Sequence, residues 1–278
     1  MSTVEIKIES LHKSFGDNAV LRGIDLELYQ REVIAIVGGS GCGKTVLLNH
    51  ILRQLIPDSG CVKVIDHSDP AEPLVDLQEV GEFELETIFQ HWGVVFQRNA
   101  LFSTTVFGNI ALWLREVKGM EEDAILPIAR RSLNAVGLGS DDAFLEQPSE
   151  KLSGGMAKRL AVARAIAMDP AVIYYDEPTT GLDPSSCAQI HNLIYDMHYA
   201  VEHRTTVIIT HDKDLLQRLR PRTVMLHEGK VFFDGAFEEF EASKSEIIRP
   251  YFDLMPLLQK RKVEPLMIPV EERKRARF

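Results

Sequence analysis

The chain has 278 residues, 45% of them hydrophobic, and carries a formal net charge of −10 at pH 7. Its length and composition are typical of a globular protein of one large or two small domains, and its acidic balance argues against a general nucleic-acid binder. Its three cysteines have no paired spacing, so they give little support to a disulfide or zinc framework. Because neither a signal-peptide pattern nor a bilayer-spanning apolar run is present, we expect a cytosolic protein.

The N-terminal stretch predicts two half-exposed strands, because apolar and polar residues alternate over 4–9 and again over 24–28. The dipeptide Phe15-Gly16 lies between them. Its spacing alone is equally compatible with an aromatic ring that stacks on a ligand and with a core residue at a strand end.

A buried strand over 33–37 leads into a glycine-rich loop, residues 38–45, which reads Gly-Gly-Ser-Gly-Cys-Gly-Lys-Thr. This is the P-loop spacing, in which backbone N–H groups and a helix N-terminus surround phosphate oxygens. Lys44 is placed to reach the β- and γ-phosphates, and the Thr45 hydroxyl to hold Mg²⁺. A ligand-free turn and a dinucleotide-binding loop are poorer explanations, because neither requires the Lys-Thr pair. The loop therefore predicts binding of a nucleoside triphosphate.

The region after this loop predicts a helix over 44–55 and then, beyond a short strand, a surface insertion over 66–92. The insertion contains an amphipathic pattern typical of a helix near 82–90. A buried strand over 93–97 follows, and its last residue is the polar Gln97.

A mostly helical block comes next. One predicted helix is capped by Thr104 or Thr105, and a second covers 121–136 but is interrupted at Pro127. Since this block separates two halves of a nucleotide-binding pattern, we predict a helical subdomain inserted into the α/β core at about 102–168.

Two acidic residues end the next buried strand. A Leu-Ser-Gly-Gly sequence at 152–155 begins a predicted helix, and the strand over 171–175 then leads to Asp176 and Glu177. A carboxylate at the carboxyl end of such a strand can help to hold Mg²⁺, and a second one can orient an attacking water. A structural ion pair is the alternative explanation of the two acids.

The last conspicuous polar positions are Asp183 and His211. Asp183 is predicted to cap a helix that has Pro184 at its first position. His211 follows a β-branched strand over 205–210, at the sheet edge that also carries the P-loop and the acidic pair. A lone histidine is usually structural, so its position at this edge is what makes it a candidate site residue.

With these segments in order, the chain resembles the ATPase subunits of ATP-binding cassette (ABC) transporters over about residues 4–242. The resemblance rests on motifs in the family's order, which are the Walker A loop at 38–45, the Q-loop residue Gln97, the signature Ser153-Gly154-Gly155, the Walker B pair Asp176-Glu177, the D-loop residue Asp183 and the switch histidine His211. Phe15 matches the family's A-loop aromatic, which favours stacking on adenine. The implied fold is α/β, a P-loop NTPase core with a parallel sheet, an N-terminal antiparallel β subdomain and an inserted helical subdomain.

The resemblance also implies an ATP-hydrolysing enzyme with ATP and Mg²⁺ as cofactors. Glu177 would polarise water, His211 would contact the γ-phosphate, Gln97 would sense the metal and Lys44 would stabilise charge. The implied metal ligands are Thr45, Gln97 and Asp176. The implied ATP-binding residues are Phe15, Gly38, Gly39, Ser40, Gly41, Cys42, Gly43, Lys44, Thr45, Val46, Ser153, Gly154, Gly155 and Asp183.

A head-to-tail dimer is expected from the residues as well as from the resemblance. The chain has two glycine-rich helix starts that can hold an anion, at Gly43 and at Ser153, yet only one base and one metal carboxylate. If two copies pair head to tail, the second anion site of each copy faces the γ-phosphate held by the other. Hydrolysis would then require closure of the dimer around two ATP molecules.

A narrower resemblance is to the ATPases of MCE-type phospholipid transport systems. It rests on Met156 after the signature glycines and on a Phe-Gln-x-x-Ala-Leu-Phe sequence at 96–102, although the segment 102–106 is shorter and the insertion at 66–92 longer than usual. It implies a separate membrane permease, an MCE-type lipid-binding protein and a position on the cytoplasmic face of the inner membrane. Transport of another solute is the main alternative. A soluble ABC ATPase acting on ribosomes or DNA usually has two cassettes or a long coiled coil, and a small-molecule kinase has no use for the signature.

The C-terminal extension, residues 245–278, follows the predicted ATPase domain at 1–244. Apolar residues between 247 and 258 form a potential helix face, and the segment 257–278 has seven basic against three acidic residues. We predict that this extension packs on a second copy of the chain or on a small accessory protein.

Overall fold

The computed structural model describes residues 3–201 and 203–253. Within these ranges the strands form two sheets, one of four strands and one of six. The four-stranded sheet has the order β2-β1-β4-β5 and is antiparallel, with β1 at Val4–Phe15, β2 at Asn18–Tyr29, β4 at Ser59–Ile65 and β5 at Leu74–Asp76. This is the predicted N-terminal β subdomain.

The six-stranded sheet forms the centre of the molecule and has the order β10-β9-β3-β8-β7-β6. Its strands are β3 at Val33–Val37, β6 at Trp92–Val95, β7 at Val172–Asp176, β8 at Thr205–Ile209, β9 at Arg222–His227 and β10 at Lys230–Gly235. All neighbours are parallel except β9 and β10. The inner strands are buried along almost their whole length, which explains their continuous apolar and β-branched sequences. Their carboxyl ends meet at one edge, and the candidate site lies there.

The helices cover the central sheet and build the inserted subdomain. In chain order they are α1 Lys44–Ile51, α2 Glu82–Phe89, α3 Val106–Glu116, α4 Glu122–Ala135, α5 Asp142–Leu145, α6 Gly154–Ala167, α7 Pro184–Tyr199, α8 Lys213–Leu219, α9 Phe237–Ala242 and α10 Arg249–Asp253, with a 3-10 turn at Ser149–Lys151. None of these helices is long and apolar enough to cross a membrane.

The β1–β2 hairpin is longer than the alternation of its sequence predicted. The register of the pair shifts between Ile8 and Leu11, and Ser10 lies there in the left-handed region with φ 46°. This irregularity breaks the period of two, so the sequence pattern ends at residue 9 while the strand continues to Phe15. Phe15 thus ends β1 at the hairpin turn.

The helix α4 continues through Pro127, and the predicted interruption is therefore wrong. A proline inside a helix removes one N–H donor and costs about 3 kcal/mol. Ile125, Ala129 and Leu133 are fully buried on the face that packs with α3 and α6. Burying two large aliphatic side chains contributes about 3–6 kcal/mol, which is enough to offset the proline penalty.

The predicted surface insertion is partly integrated into the fold. Its strand β5, which the sequence did not reveal, extends the antiparallel sheet, and Leu77 and Ile88 enter the core. His67, also in this insertion, lies against the buried Glu5 of β1, with 2.7 Å between Nε2 and a carboxylate oxygen, and 3.4 Å from Glu72. Burial lowers the pKa of His67, but the hydrogen bonds and charges of Glu5 and Glu72 raise it more, so its pKa lies above the usual 6.5.

The contact between His67 and Glu5 should make stability depend on pH. A raised folded-state pKa stabilises the fold fully below the unfolded value near 6.5, and this contribution is lost as the pH rises through the folded value. We expect His67→Ala to lower the melting temperature clearly at pH 6, by the equivalent of about 1.5–3 kcal/mol for a hydrogen bond to a charged group, and less at pH 9. Glu5→Gln should abolish this difference. An effect of His67→Ala that is equal at both pH values would contradict the assignment.

The first residues of the C-terminal extension pack on the chain's own core. Ile248 and Phe252 are buried against Leu216 and Phe240, and Lys213 Nζ donates to the Phe252 carbonyl at 2.5 Å. This part of the apolar face is therefore covered by the same chain rather than by a partner. The remainder of the extension, 254–278, lies outside the described residues.

Candidate active site

The P-loop connects β3 to α1 through backbone conformations that need glycine. Gly38 and Gly43 have φ values of 145° and 104°. A Cβ atom on Gly38 would lie 2.4 Å from the Leu226 carbonyl oxygen, and one on Gly43 would lie 2.7 Å from a methyl carbon of Leu21. Within the part of the chain that the structure describes, no side chain caps the start of α1. The first N–H groups of this helix are therefore left for an anion.

Lys44 lies over its own loop. Its Nζ donates to the Gly38 carbonyl at 2.8 Å and to the Gly39 carbonyl at 3.1 Å, and lies 3.9 Å from Cys42 Sγ. A phosphate oxygen offers a stronger, charged acceptor in place of these carbonyls. The neighbouring Thr45 is exposed, so its hydroxyl is accessible to a ligand at the same place.

Asp176 ends β7 beside this loop and is 8% exposed. Its Oδ1 has no hydrogen-bond partner among the described residues. Burial, and secondarily the charge of Glu177, raise the pKa of Asp176, while Lys158 and Lys44 oppose this shift. A buried carboxylate oxygen without a donor is suited to a bound cation, which would supply the missing partner.

Glu177 adopts a strained backbone conformation, with φ 47°. Its N–H donates to the Ile209 carbonyl at 2.8 Å, which ties the residue to β8. Its carboxylate lies 2.7 Å from His211 Nδ1 and accepts a hydrogen bond from Thr180 Oγ1 at 3.4 Å. The hydrogen bond that His211 donates to the Glu177 carboxylate raises the pKa of His211. The arrangement therefore provides a carboxylate base and an imidazole donor in contact, next to the phosphate loop.

Gln97 lies in the loop after β6, and its side chain is exposed. Its backbone carbonyl, like that of Phe96, accepts a hydrogen bond from Lys158. Since β6 is the neighbour of β7 in the sheet, Gln97 follows the strand that lies beside the one ending in Asp176.

The signature and the D-loop form a second group of site residues. Ser153 caps α6 by accepting from the Met156 N–H at 3.3 Å, and it is exposed together with Gly154. A Cβ atom on Gly155 would lie 2.8 Å from Ser186 Oγ, which itself donates to Asp183 at 2.6 Å. The start of α6 therefore lies directly against the D-loop of the same chain.

Phe15 is 48% exposed at the hairpin end of β1, with Lys13 Nζ 5.7 Å from its ring centre. The alternative of a core aromatic is therefore wrong, and the ring face is open to a planar ligand.

The structure brings Lys44, Asp176, Glu177 and His211 together at one sheet edge. Of the remaining predicted ATP-binding positions, Gly39, Ser40, Gly41 and Cys42 lie in the P-loop, and Val46 lies in the first turn of α1.

Sequence reasoning missed a network behind the site. Asp212 accepts hydrogen bonds from Thr179 Oγ1 and His191 Nε2, both at 2.7 Å, and its other oxygen caps α8. It thereby joins the loops that carry Glu177 and His211. Burial raises the pKa of Asp212, but the hydrogen bonds from His191 and Thr179 prevail and lower it to about 2. The position of Asp212 directly after the predicted site histidine was the available sequence signal.

Comparison with known proteins agrees with this geometry. The family model described as ABC transporter matches residues 21–180. The L-cystine transport system ATP-binding protein TcyN of Escherichia coli is 38% identical over 238 residues, which cover 85% of this chain and 91% of TcyN. The intermembrane phospholipid transport system ATP-binding protein MlaF of Haemophilus influenzae is 35% identical over 243 residues, 86% of each chain.

A solved structure supports the same assignment. The dimeric ATP-binding cassette MJ0796, in a post-hydrolysis state with ADP and Pi, superimposes with a TM-score of 0.71 and 27% identity over 84% of this chain and 98% of that chain. The match of the family model over more than half of the sequence, together with TcyN and MlaF over most of their lengths, shows that this chain belongs to the ABC transporter family as one of its ATPases.

Proposed function

We propose that this ATPase powers phospholipid transport between membranes through a separate membrane permease. The observation that carries this proposal is the similarity to MlaF over 86% of both chains. Met156 after the signature glycines supports it from the sequence. TcyN is 38% identical to this chain, compared with 35% for MlaF, and its name specifies L-cystine, so transport of another solute is the second candidate.

We further propose the roles of the site residues. Glu177 orients and polarises the attacking water, and His211 contacts the γ-phosphate, as their contact at the ends of β7 and β8 permits. Lys44 turns from its own loop carbonyls to the β- and γ-phosphates. Thr45, Asp176 and Gln97 would hold Mg²⁺, which neutralises phosphate charge when bound; the unpartnered oxygen of Asp176 fits this role.

ATP itself would bind between two copies of the chain. The exposed Ser153 and Gly154 at the start of α6 are free to meet the γ-phosphate held by another copy, and Asp183 lies beside them on the D-loop. The dimeric state of MJ0796 supports this arrangement. The adenine would stack on Phe15 of the copy that holds the phosphates.

The remaining partners follow from the transport proposal. The inserted helical subdomain would face the permease, and the ATPase would lie peripherally on the cytoplasmic face of the inner membrane. An MCE-type protein would bind the lipid, and the C-terminal extension would contact a second copy or a small accessory protein. Nucleic acid is not among the proposed partners.

A reconstitution experiment tests the choice of substrate. The complex is isolated from detergent-solubilised membranes through a tag on this chain, its proteins and bound lipids are identified by mass spectrometry, and it is placed in liposomes. We expect co-purified phospholipid and ATP-dependent transfer of a fluorescent phospholipid to acceptor vesicles, which a complex carrying Glu177→Gln does not support. ATP-dependent uptake of cystine without phospholipid transfer would refute the lipid proposal.

A further inference from the structure

Lys158 is a buried cation in the second turn of α6. The residue is 1% exposed, and its Nζ donates to the carbonyl oxygens of Phe96 at 3.0 Å and of Gln97 at 2.9 Å. No carboxylate lies within ion-pair distance of this ammonium among residues 3–201 and 203–253. Within these ranges, the two loop carbonyls are therefore the hydrogen-bond acceptors of Lys158.

Burial of a lysine is unfavourable unless its ammonium makes specific contacts. Burial lowers the pKa of Lys158 to about 8, opposed by the negative charge of Asp176. An apolar side chain of similar length would fill the same space without desolvating a charge. The buried ammonium therefore costs stability. Its contacts are the hydrogen bonds to the peptide carbonyls at the start of the Q-loop.

A second cation of α6 holds the other end of this loop. Arg164 donates to the Ala100 carbonyl at 2.8 Å, and its guanidinium lies 5.4 Å from the centre of the Phe102 ring. The loop over 96–102 is therefore attached at both ends to α6, the helix that Ser153 caps. The Gln97 side chain is exposed, so these backbone contacts are what determine its position relative to α6.

We propose that Lys158 is a positioning residue for Gln97, which it attaches to the signature helix so that Gln97 moves with Ser153 when two copies close on ATP. This inference rests on the proposed function, in which Gln97 acts at the site and Ser153 meets ATP held by another copy. The inference adds a physical link between the action of Gln97 at its own site and the contact of Ser153 with ATP held by the other copy. Ionic hydrogen bonds to both carbonyls make the link stiff, because each is stronger than a neutral one.

A double-mutant cycle on the full-length ATPase tests the link. Lys158→Met keeps an unbranched side chain that is only one bond shorter and removes the donors, and Lys158→Arg keeps both charge and donors. We expect Lys158→Met to lower kcat about tenfold, within the range caused by small misplacement of site groups, with little change in KM or in the affinity for a fluorescent ATP analogue. Lys158→Arg should recover a large part of kcat.

The second substitution of the double-mutant cycle is Gln97→Ala, which is measured alone and combined with Lys158→Met. If Lys158 acts through Gln97, the double variant has the same kcat as Gln97→Ala alone, because the positioned group is already absent. Multiplicative losses would overturn the proposal while leaving the role of Gln97 intact. Full turnover by Gln97→Ala alone would instead overturn the proposed role of Gln97, and the inference with it. If Lys158→Met does not fold, the cycle uses Lys158→Gln, which has the length of methionine but replaces the ionic hydrogen bonds by weaker neutral ones. A smaller loss of kcat that disappears in the Gln97→Ala background then gives the same decision.

Discussion

Glu177→Gln is expected to reduce ATP turnover by about 10²-fold or more, as is typical for the loss of an acid-base group. ATP affinity should change little. The amide has nearly the shape of the carboxylate and still accepts from Thr180, so the loop geometry at φ 47° should persist. The amide cannot take a proton from water, and this is why the chemical step rather than binding is lost.

The measurement is steady-state ATPase activity together with equilibrium binding of a fluorescent ATP analogue. Glu228→Gln is a matched control, because Glu228 also has a left-handed backbone, φ 49°, but lies exposed in the hairpin between β9 and β10. It should retain normal turnover. We also expect Glu177→Gln to accumulate as an ATP-bound dimer in size-exclusion chromatography. Normal turnover by Glu177→Gln would show that another group activates the water.

Lys44→Ala is expected to weaken ATP binding by about 10- to 100-fold, the equivalent of the roughly 1.5–3 kcal/mol of a hydrogen bond to a charged group. The loss should be specific to the ligand-bound state. In the structure Lys44 donates to two carbonyls of its own loop and is not part of the hydrophobic core, so its removal should barely change the melting temperature.

Isothermal titration with ATP in the presence of Mg²⁺ measures this effect. Lys230→Ala, which removes an exposed lysine from the edge strand β10, serves as the control for a change in net charge. An unchanged Kd for Lys44→Ala would show that the lysine stays on the Gly38 and Gly39 carbonyls when ATP binds. The proposed phosphate contact would then be wrong.

The fold class and the edge that carries the site were predictable because their signals are local. A run of apolar residues such as 33–37 or 171–175 predicts a central parallel strand, and a polar residue that follows it then lies at the carboxyl edge of the sheet. The P-loop is similarly local, since its glycines, lysine and threonine are adjacent in the chain. Each of these inferences requires only neighbours in sequence.

Other features depended on contacts between residues far apart in the chain. Pro127 predicted a break, but the burial of Ile125 and Leu133 keeps α4 continuous. The strand β5 is too short for a clear alternation and exists because β4 offers an unpaired edge. The sequence predicted that the apolar face with Ile248 and Phe252 is buried. Only the tertiary structure showed that α8 and α9 of the same chain cover this face.

By itself, the sequence determined that the chain is an ABC-type ATPase, because each motif places its chemistry within a few consecutive residues at the end of a strand or the start of a helix. Tertiary structure alone decided how these motifs are connected. The hydrogen bonds of Lys158 to Gln97, 61 positions away, and of Thr179 to Asp212, 33 positions away, join groups that no local pattern relates. Such contacts arise from the packing of whole elements around one sheet, and they turn separate motifs into one site.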